Sequence, residues 1–274
     1  MRRLFPLLLG AALVVAVVFL GLPVLAIFLR VPPGDLVAQL GEERARDALL
    51  ISLKTSLIAH AFILLVGTPA AYLLANSSFR GRTLVVSLIE LPLVLPPAVA
   101  GLGLFAAFGR SGLLGSELRA LGLEIPFTQL AVVLAICFVA SPFYVRSAIA
   151  AFEAVDPALP AAARTLGAGP YRVFARIALP LALGGLGAGS TLAFARGLGE
   201  FGATIMFAGS LPGRTQTAPL AIYAAFDDDF DVALALGALL VIVSAALLLA
   251  VKLVPSWTRS SSPSTTLSAP SASR

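Results

Sequence analysis

Ala161-Ala-Ala-Arg164-Thr-Leu-Gly167, followed ten residues later by Ile177-Ala-Leu179-Pro180, is the stretch that decides how this chain folds. It is short, polar and helix-forming, and it separates two long apolar runs. Asp156-Pro157 ahead of it reads as a helix N-cap with proline in the first turn. The three alanines favour helix and present a small surface on which another protein packs closely. Gly167, then Gly169-Pro170, stop that helix and reverse the chain. Arg164, Arg172 and Arg176 add positive charge to the loop, which runs from about 152 to 180. Read alone, such a segment is either an amphipathic connector or a handle for a partner beside the membrane.

The flanking sequence is that of a membrane protein. Hydrophobic residues make up 59% of the 274 and charged residues 12%, about half the charged share of a soluble domain. Mean hydropathy is +0.98. A span needs roughly 20 apolar residues, and six such runs are legible: Leu4–Leu29, Leu49–Ala75, Thr83–Phe108, Thr128–Ala151, Ile177–Ala208 and Val232–Val254. They are expected to be helices, because continuous apolar runs lack the alternation of a membrane barrel. The run behind Met1-Arg2-Arg3 is too long for a signal-peptide core and ends without a clean cleavage site, so a retained first helix is expected. Residues 1–254 therefore read as one transmembrane unit. The Ser/Thr/Pro-rich stretch 255–274 reads as a disordered cytoplasmic tail.

Charge sets the orientation. Arg2, Arg3, Arg80, Arg82, Arg146, Arg164, Arg172, Arg176, Lys252 and Arg259 fall on one side. Arg30, Arg44, Arg46, Lys54, Arg110, Arg119 and Arg214 fall on the other. The bias is modest, and it places both termini in the cytoplasm. The net charge of +5 reflects these loop arginines rather than a nucleic-acid surface.

Several chemistries are excluded. No phosphate-loop motif exists, and Lys54 and Lys252 are the only lysines, so the chain does not hold a nucleotide in that way. No His/Cys/carboxylate cluster has metal-site spacing. The single cysteine, Cys137, excludes an intrachain disulfide. His60, the one histidine, is expected to make an interhelical hydrogen bond rather than relay protons. The chain by itself is not read as an enzyme, and no cofactor is assigned to it.

Two places inside the spans stand out. Arg196 and Glu200 are four apart in Arg196-Gly-Leu-Gly-Glu200-Phe-Gly-Ala-Thr204, hence on one face of a continuous helix. Charges at membrane depth face a partner or a water-filled cavity. The pair is either self-neutralising structure or part of an outer gate or anion path, with Thr204 close by. Gly197, Gly199 and Gly202 are expected to let another backbone approach. In the third span Pro92, Pro96 and Pro97 remove donors and break or kink the helix, a candidate gating hinge. Glu90 is expected to snorkel to the cytoplasmic edge. In the outer loop 209–231 a short helix, Pro219–Phe226, is expected with Thr217 as its cap. Arg214 reads as a solvated charge, Asp227, Asp228 and Asp229 as helix caps, and Asp231 as the opening of the last span.

The 161–180 pattern resembles the signature loop of bacterial ABC importer permeases: Glu-Ala-Ala, three residues, Gly, nine residues, Ile-x-Leu-Pro. Ala161 stands where that family has glutamate. Arg196-Gly-Leu-Gly-Glu-Phe-Gly-Ala-Thr-Ile-Met206, Pro212-Gly-Arg-Thr-Gln-Thr217 and Pro219-Leu-Ala-Ile-Tyr223 resemble the molybdate permeases in particular. Ser52-Leu-Lys-Thr55, Gly67-Thr-Pro69 and Pro92-Leu-Val-Leu-Pro-Pro97 point to the same group, so the likeness covers most of 50–250. Sulfate, thiosulfate and tungstate permeases share parts of this pattern and stay open as alternatives. So does an ion-coupled secondary transporter using Arg196 and Glu200, although no inverted repeat supports it.

The resemblance implies an all-α, six-helix type I ABC importer permease of the inner (plasma) membrane, working as a homodimer. Two ATPase subunits would bind ATP and Mg and grip the loop from the cytosol. A periplasmic or extracellular oxyanion-binding protein would deliver substrate, and no nucleic acid is involved. Docking would fall to Ala161, Ala162, Ala163, Arg164, Leu166, Gly167 and Ala168, within about Ala158–Gly169. Arg196, Glu200, Pro96, Pro97 and Thr204 would line the pore or its gate. Alanine at 161 removes one expected ion pair with the ATPase while leaving the helix able to pack.

Overall fold

Long apolar runs in lipid must satisfy their own backbone, and helices do so segment by segment. The computed structural model describes residues 4–253 and holds only helices and turns among them. The stretch 255–274, expected as a disordered tail, lies outside the described residues. The chain begins with α1 (Leu4–Arg30), α2 (Pro33–Gly41) and α3 (Glu43–Asn76). The third expected span is α4 (Arg82–Val94) and α5 (Pro97–Phe108), followed by short α6 (Gly115–Ala120). Next come α7 (Gln129–Glu153), α8 (Ala158–Thr165) and α9 (Pro170–Val173). A π-helical turn, Phe174–Ala178, joins α9 to α10 (Leu179–Leu198). The last elements are α11 (Gly202–Ala208), α12 (Ala218–Asp228) and α13 (Phe230–Leu253).

Four of these units are long and apolar enough to cross a bilayer: Phe5–Arg30, Glu43–Asn76, Gln129–Glu153 and Pro170–Leu198. The α4–α5 pair makes a fifth if counted as one broken span. In α13 the stretch Phe230–Ala246 is a shorter apolar helix.

Two spans are interrupted, the third where its prolines were expected to break or kink it and the fifth where a continuous helix was expected. The third bends by 117° between Val94 and Pro97. Leu95 and Pro96 are both extended there (ψ 134° and 133°), because each precedes a proline whose ring disfavours the helical conformation. The expected kink is thus a full break at Pro96-Pro97, whereas Pro92 stays inside α4. The fifth span ends at Leu198, and Gly199-Glu200-Phe201 separates it from α11.

At the centre lies α7, the most buried of the long helices, packed on α3, α4, α5, α10 and α11. Lipid is as apolar as leucine, so close backbone approach and hydrogen bonds hold such helices together. On α10, a Cβ at Gly185 would come within 2.5 Å of Ala151 Cβ, and one at Gly189 within 2.6 Å of Ser147 Cβ. This stripe clamps α10 onto α7. Thr68 and Tyr144 share a hydroxyl hydrogen bond of 2.6 Å between α3 and α7. His60 and Ser190 are 2.9 Å apart, the interhelical bond expected of the one histidine, here between α3 and α10. In contrast, α1 leaves its whole apolar window outside the packed helices and touches α13.

The caps correct a further expectation. α12 follows Thr217, but that hydroxyl does not cap it and is buried without a partner among the described residues. Ser52 of α3 caps the helix instead: its Oγ accepts from the Ala218 N–H at 2.7 Å, and Ser52 is buried. Ser52→Ala strands that amide and is expected to lower stability by about 1–2 kcal/mol, seen as a lower Tm of the purified complex. An unchanged Tm would mean that another group caps α12. Asp229 caps α13 as expected, its Oδ1 accepting from the amides of Asp231 (3.0 Å) and Val232 (3.2 Å).

Candidate functional site

The 152–180 loop folds into the helix its sequence dictates. Asp156 Oδ1 accepts from the Ala158 N–H at 2.8 Å and so caps α8. At the other end the Leu166 N–H donates to Ala162 O (3.2 Å) and the Ala168 N–H to Ala163 O (3.0 Å). Gly167 turns the chain with φ +84°, a conformation glycine adopts without steric cost. Pro160 tucks inward, whereas Ala161, Ala162, Arg164, Thr165 and Gly167 are exposed and Ala163 and Ala168 are half-buried. Leu166 is 88% exposed and Tyr171 80%. Large side chains project from this loop with nothing covering them, beside exposed Arg164, Arg172 and Arg176. The expected docking element, about Ala158–Gly169, takes in Leu159 without singling it out and stops short of Tyr171; both extend the same exposed apolar surface.

Two connections lead from the loop into the bundle. One is α9, the π turn and α10, a single rod ending at Leu198. The other starts at Glu153, the last residue of α7, whose carboxylate meets the Arg82 guanidinium at 2.5 Å. Arg82 Nε also donates to Leu74 O at 2.7 Å, so one arginine gathers the ends of α3, α4 and α7. Glu90 pairs with the exposed Arg146 at 3.5 Å in a second α4–α7 link. Neither pair is readable from sequence, because nothing local relates residues 71 apart (Arg82 and Glu153).

Both connections end at the two helix breaks, which lie together. A Cβ on Gly202, at the start of α11, would be 2.6 Å from Pro97 Cβ, and one on Gly101 would be 2.6 Å from Ala203 O. Thus α5 and α11 pack backbone to backbone beside Pro96-Pro97. Arg196 and Glu200 do pair, at 2.7 Å, but not as neighbours on one helix face. Glu200 lies beyond the end of α10, and its Oε1 accepts from the Ala203 N–H at 2.8 Å. The carboxylate therefore joins two helix ends: it caps α11 and holds the arginine of α10. It is only 1% exposed, against 28% for Arg196. Of the three glycines expected to admit a close neighbour, Gly197 meets Ile136 and Gly202 meets Pro97, while Gly199 faces open space apart from its own helix. Thr204 is wholly buried and its hydroxyl lacks a partner among the described residues. The structure thus brings Pro97, Arg196 and Glu200 to one junction, with Thr204 on α11 beside it. Among the described residues, no group of three His, Cys, Asp or Glu side chains is placed to hold a metal ion.

Residues 63–259 match the family described as binding-protein-dependent transport system inner membrane component. The chain belongs to that family. It is the permease component of an ABC importer, and the ion-coupled secondary transporter falls away as an alternative. The permease is 45% identical over 238 residues to the molybdenum transport system permease protein of Mycobacterium tuberculosis, covering 87% of this chain and 90% of that protein. It is 47% identical over 178 residues to the molybdenum transport system permease protein of Escherichia coli K12, covering 65% and 78%. Among solved structures, a bacterial alginate ABC transporter in complex with its alginate-bound periplasmic protein aligns with TM-score 0.71 at 17% identity, covering 91% of this chain and 92% of that one. The inward-facing MetNI methionine ABC transporter aligns with TM-score 0.60 at 18% identity, covering 76% and 92%. At these identities the solved structures speak for the fold alone.

Proposed function

We propose that this permease forms the membrane pathway of an ATP-driven molybdate importer. Two copies would enclose the pathway, each crossing the inner membrane six times with both termini in the cytoplasm. Two ATPase subunits, binding ATP and Mg, would seat against Ala161–Ala168, and an oxyanion-binding protein would deliver substrate from outside. The observation that carries this reading is the exposed α8 and its turn, spaced as in the family's signature loop, in a chain whose relatives are molybdenum permeases.

In this mechanism ATP-driven closure of the ATPases pulls on α8. The displacement passes along α10 and through the Glu153–Arg82 link to α4. Both lines converge on the junction of Pro97, Arg196 and Glu200, so that the outer and inner openings alternate. Ala161 removes an acidic contact from the docking surface, leaving apolar packing of Leu166 and Tyr171 and the loop arginines to hold the ATPase.

The test is ATP-dependent uptake into proteoliposomes that hold the permease, its ATPase and its binding protein, with molybdate and sulfate in competition. Molybdate uptake undiminished by excess sulfate is expected. Uptake of sulfate or tungstate in its place would keep the architecture and change the substrate. No uptake of any oxyanion would overturn the reading.

A further inference from the structure

The rod that leads from the docking loop into the bundle is not one uniform helix. From Phe174 to Ala178 it winds as a π turn, in which the Leu179 N–H donates to Phe174 O, five residues back instead of the four of an α-helix. Pro180 accounts for the misfit. In an α-helix its ring would press on the Arg176 carbonyl and leave that oxygen without a donor, and taking one extra residue into the turn relieves the clash. Pro180 itself is exposed, so what it contributes is backbone geometry rather than packing. One side of the turn is anchored. Val173 and Ala178 are buried, and the Phe174 ring meets those of Tyr72 on α3 (centroids 4.8 Å apart) and Phe152 on α7 (6.3 Å), which face each other at 5.2 Å. The other side, with Arg172, Arg176 and Pro180, is exposed. Toward the docking loop, α8 packs on α9 and on the π turn itself.

We infer that the π turn is the joint of this rod and that Pro180 and Phe174 are its positioning residues: Pro180 keeps the extra residue wound in, and Phe174 carries a shift of α8 onto α3 and α7. The inference rests on the importer reading above and adds a moving part to it. A continuous α-helix resists a pull along its axis, because every backbone hydrogen bond would have to lengthen. A π turn yields without losing one, since the Leu179 amide exchanges Phe174 O for Ala175 O. That exchange turns the segment ahead by ~100° and moves it by ~1.5 Å relative to α10. It also brings the Arg176 carbonyl back against the Pro180 ring, so the turn rests wound and slips only under load. Two discrete arrangements make a switch out of a small displacement. Phe174 turns with the segment, and the same step alters its contact with Phe152, the neighbour in sequence of Glu153 and its link to Arg82.

Oxyanion uptake per ATP hydrolysed tests this, measured in proteoliposomes that hold the permease, its ATPase and its binding protein. Pro180→Ala removes the ring and restores the amide donor, so the segment winds as α-helix. That variant is expected to keep the ATPase and its hydrolysis while uptake per ATP falls about tenfold, the size of an ordinary coupling between sites. Phe174→Leu, which keeps apolar bulk but not the ring, is expected to lower the same ratio, and Phe174→Tyr to hold it near wild type. Amide hydrogen exchange across 174–180 reads the joint directly. It is expected to differ between the nucleotide-free and ATP-bound wild-type complex, and not in Pro180→Ala. A wild-type ratio in Pro180→Ala overturns the inference and leaves the importer reading intact. So does loss of the ATPase from that variant, which would make the turn part of the docking surface, and so does wild-type exchange at 174–180 that ignores nucleotide. A wild-type complex that hydrolyses ATP and takes up no oxyanion overturns the importer reading as well.

Discussion

Replacing Arg196 by alanine is expected to do more harm than replacing Arg196 and Glu200 together. The Glu200 carboxylate is 1% exposed and keeps only the Ala203 amide once the guanidinium is gone. Breaking a buried pair by removing one partner costs about 3–5 kcal/mol, because the remaining charge has nothing to replace its water. In the double variant that charge is absent, and the residual loss is the uncapped start of α11, about 1 kcal/mol. Glu200→Gln separates the two jobs. It keeps an oxygen for the Ala203 amide and gives up the charge, so α11 stays capped while Arg196, which reaches partial exposure, loses its counter-ion. Tm of the purified complex and initial uptake rate should be measured for these three variants and for Glu200→Ala, which completes the cycle. Additive losses would show that the two side chains act independently. The pattern also decides what the pair is for. Recovery of both Tm and uptake in the double variant marks a structural link between two helix ends. Recovery of Tm without uptake marks a pair that works in the gate.

That test depends on a geometry the sequence concealed. An Arg–Glu spacing of four reads as one helix face, and glycines at 197, 199 and 202 are ordinary small residues of a membrane helix. Local signals therefore favour a continuous span to Ala208. The carboxylate caps α11 through the Ala203 amide three residues on, a local choice that periodicity does not encode, and the long-range contact of Gly202 with Pro97 fixes where α11 lies. Pro96-Pro97 were legible as a weak point, since two ring nitrogens in succession cannot donate. The size of the bend was not legible, because it is set by where α5 finds Gly202 and Ala203 to lean on. Ser52 shows the same limit, as its use as a cap 166 residues away leaves no trace near Thr217. The apolar runs, the Asp156 cap and the glycine stop at 167 were readable because each is a contest settled within a few residues. The shape of the 152–180 loop is mostly local chemistry and was largely visible; the junction of broken helices is mostly tertiary and was not.

The docking loop gives the other large effect. Gly167→Asp is expected to bring uptake down to background while the chain still inserts and pairs with its second copy. At φ +84° a side chain meets no neighbour, so the cost is in the backbone and in charge rather than in a clash. Adopting the left-handed region costs an L-residue about 1–2 kcal/mol, less for aspartate than for most. Its carboxylate would sit at the C-terminal end of α8, against the negative end of the helix dipole, for about 0.3–1 kcal/mol more. An eight-residue helix has no reserve against such losses, since isolated helices of that length are unstable in water. With α8 frayed, Leu166 and the exposed alanine face lose their fixed positions and the ATPase loses its seat. Gly167→Asn separates backbone from charge: asparagine tolerates the left-handed turn and carries no anion, so it should keep much of the uptake. Co-purification of the ATPase with each variant locates the fault. Loss of the ATPase with Asp and retention with Asn is the expected result. Full uptake by Gly167→Asp would mean that this turn does not hold the ATPase, and would remove the first step from the proposed transmission to Arg196 and Glu200.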